Sequence, residues 1–180
     1  MKATPRQCGV IQTNPKYLTP FKFKDYVFPD GFCIVVDTRE QKSPLFLDKP
    51  PKGLMVMRDT LRAGDYGIRN FPAFAIEKKY CGDIFSYCSS EMDTKTYPKM
   101  ERFKRMIAAG GWVGLVIEER YSDVFKWQEH TKVSPESVRG ALRKFAIHYG
   151  VHVHFANNRE GAARWILDHA LAYYEKMKSL

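Results

Sequence analysis

The sequence predicts a single α/β domain in which helices cover a central mixed β-sheet. Short apolar runs with strand periodicity fill the first half of the 180-residue chain, and helical repeats alternate with strands in the second half. With 44% hydrophobic and 14% aromatic residues, the chain can bury one sizeable core but not two full-sized ones. This composition excludes disordered, collagen-like and fibrous proteins.

The division of the chain is predicted at residue 31. Residues 1–31 are rich in Pro, Lys and aromatic residues but have neither strand nor helical period, so we interpret them as an arm lying on the surface of a domain at 32–180. Four β-rich runs bounded by turn residues then predict strands over 32–37, 54–59, 64–69 and 72–79. The last two are expected to form a hairpin with Phe74 and Ile76 on its apolar face.

After residue 79 the period becomes helical, and helices then alternate with strands. The pattern predicts helices over 80–91 and 96–111, a strand over 112–118, a helix opened by Ser134 and Pro135, a strand over 151–156 and a final helix. Asn157 and Glu160 have the spacing of a capping box at the start of that last helix. No internal repeat is visible.

The formal net charge of +9 and the pI of about 9.4 indicate a basic surface. Such a surface attracts polyanions such as nucleic acids, although the same charge also keeps a protein soluble, and charge alone leaves both interpretations open. The mean hydropathy is −0.41 and every apolar run is far shorter than the roughly 20 residues of a membrane span, so no partner membrane is expected.

The cysteines and the N-terminus favour an intracellular protein. Cys8, Cys33, Cys81 and Cys88 are widely separated and form no CxxC pair, so we expect reduced thiols. The basic start of the chain is not followed by the apolar run of a secretory signal.

Two acids and a lysine are predicted to converge at the hairpin. Strand periodicity places Glu77 and Lys79 on one face of the second strand, opposite Phe74 and Ile76, and the pairing brings Asp65 alongside. Carboxylate oxygens hold Mg²⁺, and a nearby lysine can orient or deprotonate a water that attacks a phosphodiester. The alternative is a turn aspartate beside an exposed salt bridge.

The motifs resemble those of the XPF-type structure-specific nucleases, which have a restriction-endonuclease-like PD-(D/E)xK fold. The matching residues are Val35-Val36-Asp37-Thr38-Arg39-Glu40, Gly64-Asp65-Tyr66, and Glu77-Lys78-Lys79 followed by Asp83. The order and spacing of these three blocks fit the family pattern. The resemblance implies a three-layer domain and a Mg²⁺- or Mn²⁺-dependent endonuclease that cuts branched or flap DNA in repair, recombination or replication. The alternative is a catalytically silent DNA-binding or scaffolding subunit.

Carried over by position, the resemblance implies a role for each motif residue. Asp65 and Glu77 are expected to bind the metal, Lys79 to serve the attacking water, and Asp37 to support the cluster or a second ion. Supporting roles fall to Arg39, Glu40, Lys78 and Asp83. For Asp37, Arg39 and Glu40 the alternative is a salt-bridge network at a strand end, and Asp83 could cap a helix.

Two departures from the family pattern affect these expectations. Lys78 stands where the family usually has Arg, and it lacks the planar fork of that side chain. The sequence also contains no tandem helix-hairpin-helix module, so substrate choice is expected to come from other surfaces.

Basic residues follow the hairpin on the predicted helix 96–111 and just before it. These residues are Lys95, Lys99, Arg102 and Arg105. They form a candidate track of contacts with the DNA backbone, and the alternative is an ordinary solvated helix face.

The last strand and helix carry residues without a clear place in the core. His148, His152 and His154 lack neighbouring acids or thiols at ligand spacing, so a surface or sheet-face role is favoured over a metal site. Trp165 and His169 lie beside the apolar stripe of the last helix, where either the N-terminal arm or a subunit interface could cover them. Because the XPF family is typically dimeric, we expect a homodimer or heterodimer through the C-terminal helices.

Overall fold

The computed structural model describes residues 23, 26–41, 44–88, 96–126 and 131–180. Within these residues it has six strands and five helices. In chain order they are β1 (Cys33–Asp37), β2 (Met55–Asp59), β3 (Tyr66–Ile68), β4 (Phe71–Lys79), α1 (Cys81–Tyr87), α2 (Thr96–Ala108), β5 (Trp112–Ile117), α3 (Tyr121–Val124), α4 (Pro135–Ile147), β6 (His152–Phe155) and α5 (Arg159–Lys178).

All six strands belong to one mixed sheet, in the order β2-β1-β3-β4-β5-β6. Strand β3 is antiparallel to both β1 and β4, whereas β2 pairs in parallel with β1, and β5 pairs in parallel with β4 and β6. Five strands therefore run in the same direction, and their carboxyl ends meet at one edge of the sheet. That edge is where ligands commonly bind in α/β proteins.

Helices cover both faces of the sheet, which makes the domain three-layered. Helix α5 packs on one face over Phe74, Ile76 and Val116. Helices α1, α2 and α4 cover the other face, where Leu115 and Ile117 of β5 are fully buried. Because strand side chains alternate, β5 contributes to both cores, with Val116 on the α5 side and Leu115 and Ile117 on the other. The predicted fold class is confirmed.

All six strands and four of the five helices were predicted, but several ends differ. Helix α1 ends at Tyr87 and α2 at Ala108, where the predicted helices extended to residues 91 and 111, and β3 covers Tyr66–Ile68 rather than 64–69. Residues 89–91 lie outside the described residues. A short helix, α3, was not predicted. The N-cap of α5 is Asn158 rather than Asn157: the Asn158 side chain accepts the Gly161 N–H at 2.8 Å, while Asn157 has a left-handed backbone with φ of 64°. The capping box was therefore assigned one residue too early, because neighbouring asparagines satisfy the same sequence pattern.

The described part of the N-terminal segment packs on α5. The Tyr26 hydroxyl donates to Asp168 Oδ1 at 2.5 Å, and the Tyr174 hydroxyl donates to the Asp30 carbonyl at 2.9 Å. Phe23 is buried in the core on the same side. The boundary at residue 31 stays a prediction, and most of the preceding segment lies outside the described residues.

Two expectations from the sequence concern reduced cysteines and membrane-spanning segments. Cys33 and Cys88 are buried and free. None of the helices in this part of the chain combines the length and the apolar character that crossing a bilayer requires.

Candidate active site

Backbone contacts hold Asp65 between β1 and β4. The Asp65 N–H donates to the Ile76 carbonyl at 2.8 Å, and the Asp65 carbonyl accepts the Asp37 N–H at 2.9 Å. Gly64 makes this approach feasible, because its φ is 79° and a Cβ there would lie 3.0 Å from the Ile76 carbonyl oxygen. Asp65 is thereby placed beside Glu77, as the hairpin predicted.

Glu77 is the centre of the site. Its side chain has 0% exposure, and its Oε1 accepts the Lys79 ammonium at 2.5 Å and the Lys99 ammonium at 2.7 Å. The other oxygen, Oε2, is buried and has no hydrogen-bond partner among the described residues. Asp65 Oδ2 accepts the Lys78 N–H at 2.7 Å. The predicted convergence of Asp65, Glu77 and Lys79 is present in the structure.

The two carboxyl groups have pKa values shifted in opposite directions. Burial, reinforced by the charge of Glu77, raises the pKa of Asp65 from 3.8 to about 7. Burial alone would also raise the pKa of Glu77, but the ammonium groups of Lys79 and Lys99 more than compensate and lower it. The pKa of Lys79 is raised, because its attraction to Glu77 and Asp65 outweighs the effect of burial. Such opposed shifts are typical of functional sites.

A divalent cation fits the chemistry of this donor set. Glu77 Oε2 is a buried carboxylate oxygen without a donor among the described residues, and Asp65 is a second hard oxygen donor whose ionisation is opposed by burial and by Glu77. A dication would relieve both unfavourable features. No group of three or more His, Cys, Asp and Glu side chains in the described ranges is placed to enclose a metal. Two carboxylates suffice for Mg²⁺, which retains several waters.

Tyr87 is part of the site although the sequence did not indicate it. The Lys79 and Lys99 ammonium groups lie 4.9 and 5.8 Å from the centre of its ring. Its buried hydroxyl has no hydrogen-bond partner within the described residues. Burial, with the nearby charges of Glu77 and Asp65, raises the Tyr87 pKa well above its usual value, so the phenol stays neutral. In the sequence, only the position of Tyr87 at the end of α1 could have suggested that its ring lies beside the two lysines.

Asp37 lies at the end of β1 with 1% exposure and is fully engaged. Its carboxylate accepts the Arg39 N–H, the Arg39 guanidinium through Nε and Nη2, and the Leu61 N–H, at 2.7 to 2.9 Å. Burial alone would raise the pKa of Asp37, but these donors lower it. The arrangement is the salt-bridge network at a strand end that stood as the alternative. A metal role for Asp37 stays a prediction and would require Arg39 to move.

Lys78 points to the face opposite Glu77, as strand alternation requires. Its ammonium lies 3.3 Å from Glu40 Oε1 and 3.5 Å from Glu118 Oε1, and Glu118 in turn faces Arg159 at 3.7 Å. Neither of these two carboxylate oxygens receives a hydrogen bond from the described residues. The network joins β1, β4, β5 and α5 beneath the site.

A cleft of about 200 Å³ opens beside Lys79 at this edge of the sheet. Arg39, Glu40, Lys78 and Asp83 are among the residues lining it. Asp83 lies in the first turn of α1, whose N-cap Tyr80 makes no side-chain capping bond. All four residues that were predicted to support the site therefore line this cleft.

The basic residues near α2 are divided among three environments. Lys99 reaches into the site and binds Glu77. Arg102 donates from Nη1 to the Arg62 carbonyl at 3.0 Å, and Arg105 is exposed in the last turn of the helix. Lys95 lies outside the described residues. Their joint role as a track for DNA stays a prediction.

An aromatic cluster covers β5 and β6 on the α5 side. The Trp165 indole packs where Gly114 leaves space, since a Cβ at Gly114 would lie 2.5 Å from Trp165 Cη2. His154 stacks on Trp165 with ring centres 5.1 Å apart, and Trp112 contacts both Trp165 and His169. Trp165 therefore packs against the sheet. His152 stacks on Trp112, so both strand histidines have a sheet-face role.

The fold and its paired carboxylates define a three-layer α/β domain of the restriction-endonuclease-like class. Residues 36–168 match the ERCC4 domain. The chain therefore belongs to the ERCC4 domain family, whose members are generally nucleases that act on DNA. This confirms the resemblance to XPF-type nuclease domains inferred from the motifs.

Two similar solved structures are of XPF from Aeropyrum pernix. One has a TM-score of 0.56 and 16% identity, over 79% of this chain and 61% of that chain. The other, a complex with DNA, has a TM-score of 0.57 and 17% identity, over 81% of this chain and 66% of that chain. This chain thus spans just under two thirds of each, and the likeness establishes the fold. No curated protein sequence matches at a significant level.

Proposed function

We propose that the chain is a divalent-metal-dependent DNA endonuclease that cuts branched or flap DNA in repair, recombination or replication. The observation that carries the proposal is the Asp65, Glu77 and Lys79 cluster, in which a buried carboxylate oxygen has no donor among the described residues. Membership of the ERCC4 domain family and the DNA complex of a similar structure support DNA as the substrate.

Each residue of the cluster has a distinct task in hydrolysis. Asp65 and Glu77 Oε2 would hold Mg²⁺ or Mn²⁺, and the ion would neutralise charge that grows on the phosphoryl oxygens. Lys79 enters as an ammonium donor, held by Glu77, and orients the attacking water. Tyr87 supports the lysines from below and keeps water from that side of the cluster. Attack by water expels the 3′ oxygen and leaves a 5′-phosphate end.

A catalytically silent DNA-binding or scaffolding subunit is the alternative function. Such a subunit has no need for a buried acidic pair, whereas in this chain Lys79 binds Glu77 and Asp65 lies close enough for the Glu77 charge to help raise its pKa. Binding of Mn²⁺ by the wild type, lost in Glu77→Gln, is the cheapest observation that separates the two.

The decisive experiment incubates the protein with Mg²⁺ and labelled flaps, forks, four-way junctions, duplexes and single strands. We expect cuts in at least one branched substrate, with 5′-phosphate ends and complete inhibition by EDTA. Cleavage that resists EDTA would refute the metal assignment. Absence of cleavage of every substrate at saturating Mg²⁺ and Mn²⁺ would favour the silent subunit.

Variants of the cluster separate metal binding from chemistry. Asp65→Asn and Glu77→Gln are expected to lose both cleavage and Mn²⁺ binding, because each removes a hard oxygen ligand. Lys79→Ala is expected to lose cleavage while Mn²⁺ still binds. If Lys79→Ala turned over at a near-normal rate in saturating metal, its role toward the water would be wrong.

We also propose that the chain assembles through its C-terminal helices, as a homodimer or with a related subunit. Pairing two basic domains would extend the surface available to DNA phosphates and supply effective concentration for the second contact. Because Trp165 packs on Gly114, Trp165→Glu would damage the fold, and the exposed neighbour Ala172 on α5 is the better probe. Light scattering should show a dimer that Ala172→Glu weakens; a strict monomer that cuts at full rate would refute the assembly.

A further inference from the structure

Lys99 stands apart from the other cations of the site because it comes from a helix rather than from the catalytic hairpin. It lies in α2, twenty-two residues after Glu77, and places its ammonium 2.7 Å from Glu77 Oε1. Its side chain is 33% exposed, against 15% for Lys79. Lys99 therefore connects the buried carboxylate with solvent on the α2 side of the sheet.

The second ammonium exceeds what Glu77 needs as a counterion. Lys79 already binds the same oxygen, so two positive charges share one carboxylate while Oε2 has no donor in the described part of the chain. Both ammonium groups also lie over the Tyr87 ring, which adds attraction for cations. Lys79 also lines the cleft of the site, so the pair of ammonium groups lies where an anion can approach, and the anion in this reaction is a phosphodiester.

A dication held by Asp65 and Glu77 would add further positive charge beside the two ammonium groups. Like charges a few ångströms apart repel strongly in a partly buried site, and the ammonium that can move away is that of Lys99, whose side chain is the more exposed of the two. Lys99 has a flexible four-carbon stem, and its main interaction in the structure is with Glu77. A phosphate oxygen next to the metal would offer it a new partner without moving the backbone.

We propose that Lys99 is a second catalytic lysine, which leaves Glu77 and binds a non-bridging oxygen of the phosphate to be cut. The inference rests on the proposed nuclease function and adds a residue outside the three motif blocks. It also reassigns Lys99 from a general backbone track to the reacting phosphate. Arg102 does not share this role, since its guanidinium binds the Arg62 carbonyl instead.

Lys99→Gln tests the proposal, with Lys104→Gln as the matched control. Lys104 lies on the same helix, loses the same charge when changed, and contacts the Tyr149 ring away from Glu77. In single-turnover cleavage at saturating DNA, we expect Lys99→Gln to be slower by about tenfold or more, as for loss of one transition-state donor, and Lys104→Gln to be unchanged. Lys99→Arg should recover part of the rate because it retains the charge.

Metal binding without DNA provides a readout that a purely structural role would not give. Lys99 repels a dication at Glu77, so Lys99→Gln should bind Mn²⁺ several-fold more tightly than the wild type, although it cuts more slowly. A structural defect would weaken both. This proposal alone would be overturned if the wild type cuts DNA and Lys99→Gln cuts it at the same rate. It would also be overturned if Lys99→Gln binds Mn²⁺ more weakly than the wild type does. No cleavage by the wild type would overturn the proposed function and this proposal with it.

Discussion

Asp65→Asn is expected to stabilise the metal-free protein, and to do so more at high pH than at low pH. Burial and the charge of Glu77 raise the pKa of Asp65 from 3.8 to about 7. A carboxyl group whose pKa is higher in the folded chain disfavours folding once it is ionised, so its penalty grows as the pH rises from 3.8 to about 7. Asparagine removes the charge and retains an oxygen that can accept the Lys78 N–H.

The magnitude follows from the two pKa values. At about 1.36 kcal/mol per pKa unit, the penalty is at most about 4 kcal/mol at pH 8 and about 2 kcal/mol at pH 5.5. Asp65 retains some exposure, so these are upper limits. The difference of about 2 kcal/mol between the two pH values does not depend on any fixed cost of the substitution. Glu77 and Asp37 have lowered pKa values, so their stabilisation is lost only at lower pH, below this window.

Urea unfolding in EDTA at pH 5.5 and pH 8 measures this effect. The stability of Asp65→Asn relative to the wild type should rise by up to about 2 kcal/mol between the two pH values. Asp48→Asn, which removes an exposed carboxylate from a loop, is the control. Mg²⁺ should stabilise the wild type and not Asp65→Asn. A stability difference that is equal at both pH values, or that falls as the pH rises, would refute the electrostatic account of this site.

Three further substitutions test the Lys78 ion-pair network and the packing around the site. Lys78→Arg should raise the free energy of unfolding by about 1 kcal/mol, because a guanidinium can donate hydrogen bonds to both Glu40 and Glu118, which the Lys78 ammonium only approaches. A lower free energy of unfolding in urea would contradict this. Gly114→Ala should cost about 1 to 3 kcal/mol, since its Cβ would meet the Trp165 ring at 2.5 Å. Gly140→Ala, on α4 with open space around it, should instead stabilise by up to about 1 kcal/mol. Equal effects of the two alanines in thermal unfolding would exclude the proposed clash.

Local periodicity predicted most of the fold and the centre of the site. Alternation along β4 placed Glu77 and Lys79 on one face with Phe74 and Ile76 on the other, and this is how the strand is packed. The pairing of the two predicted hairpin strands likewise predicted that Asp65 lies beside Glu77 and Lys79. These features depend on neighbours a few residues apart, which the sequence displays directly.

The sequence by itself therefore determined the order of the strands and helices, the apolar faces and the hairpin that pairs Asp65 with Glu77. Only the tertiary structure decided that Lys99 reaches Glu77, that Tyr87 lies beneath both lysines, and that Trp165 packs on the sheet. The physical reason is that periodicity orients a side chain about the axis of its own element. Which residue it meets depends on how separate elements pack, through contacts between segments far apart in the chain.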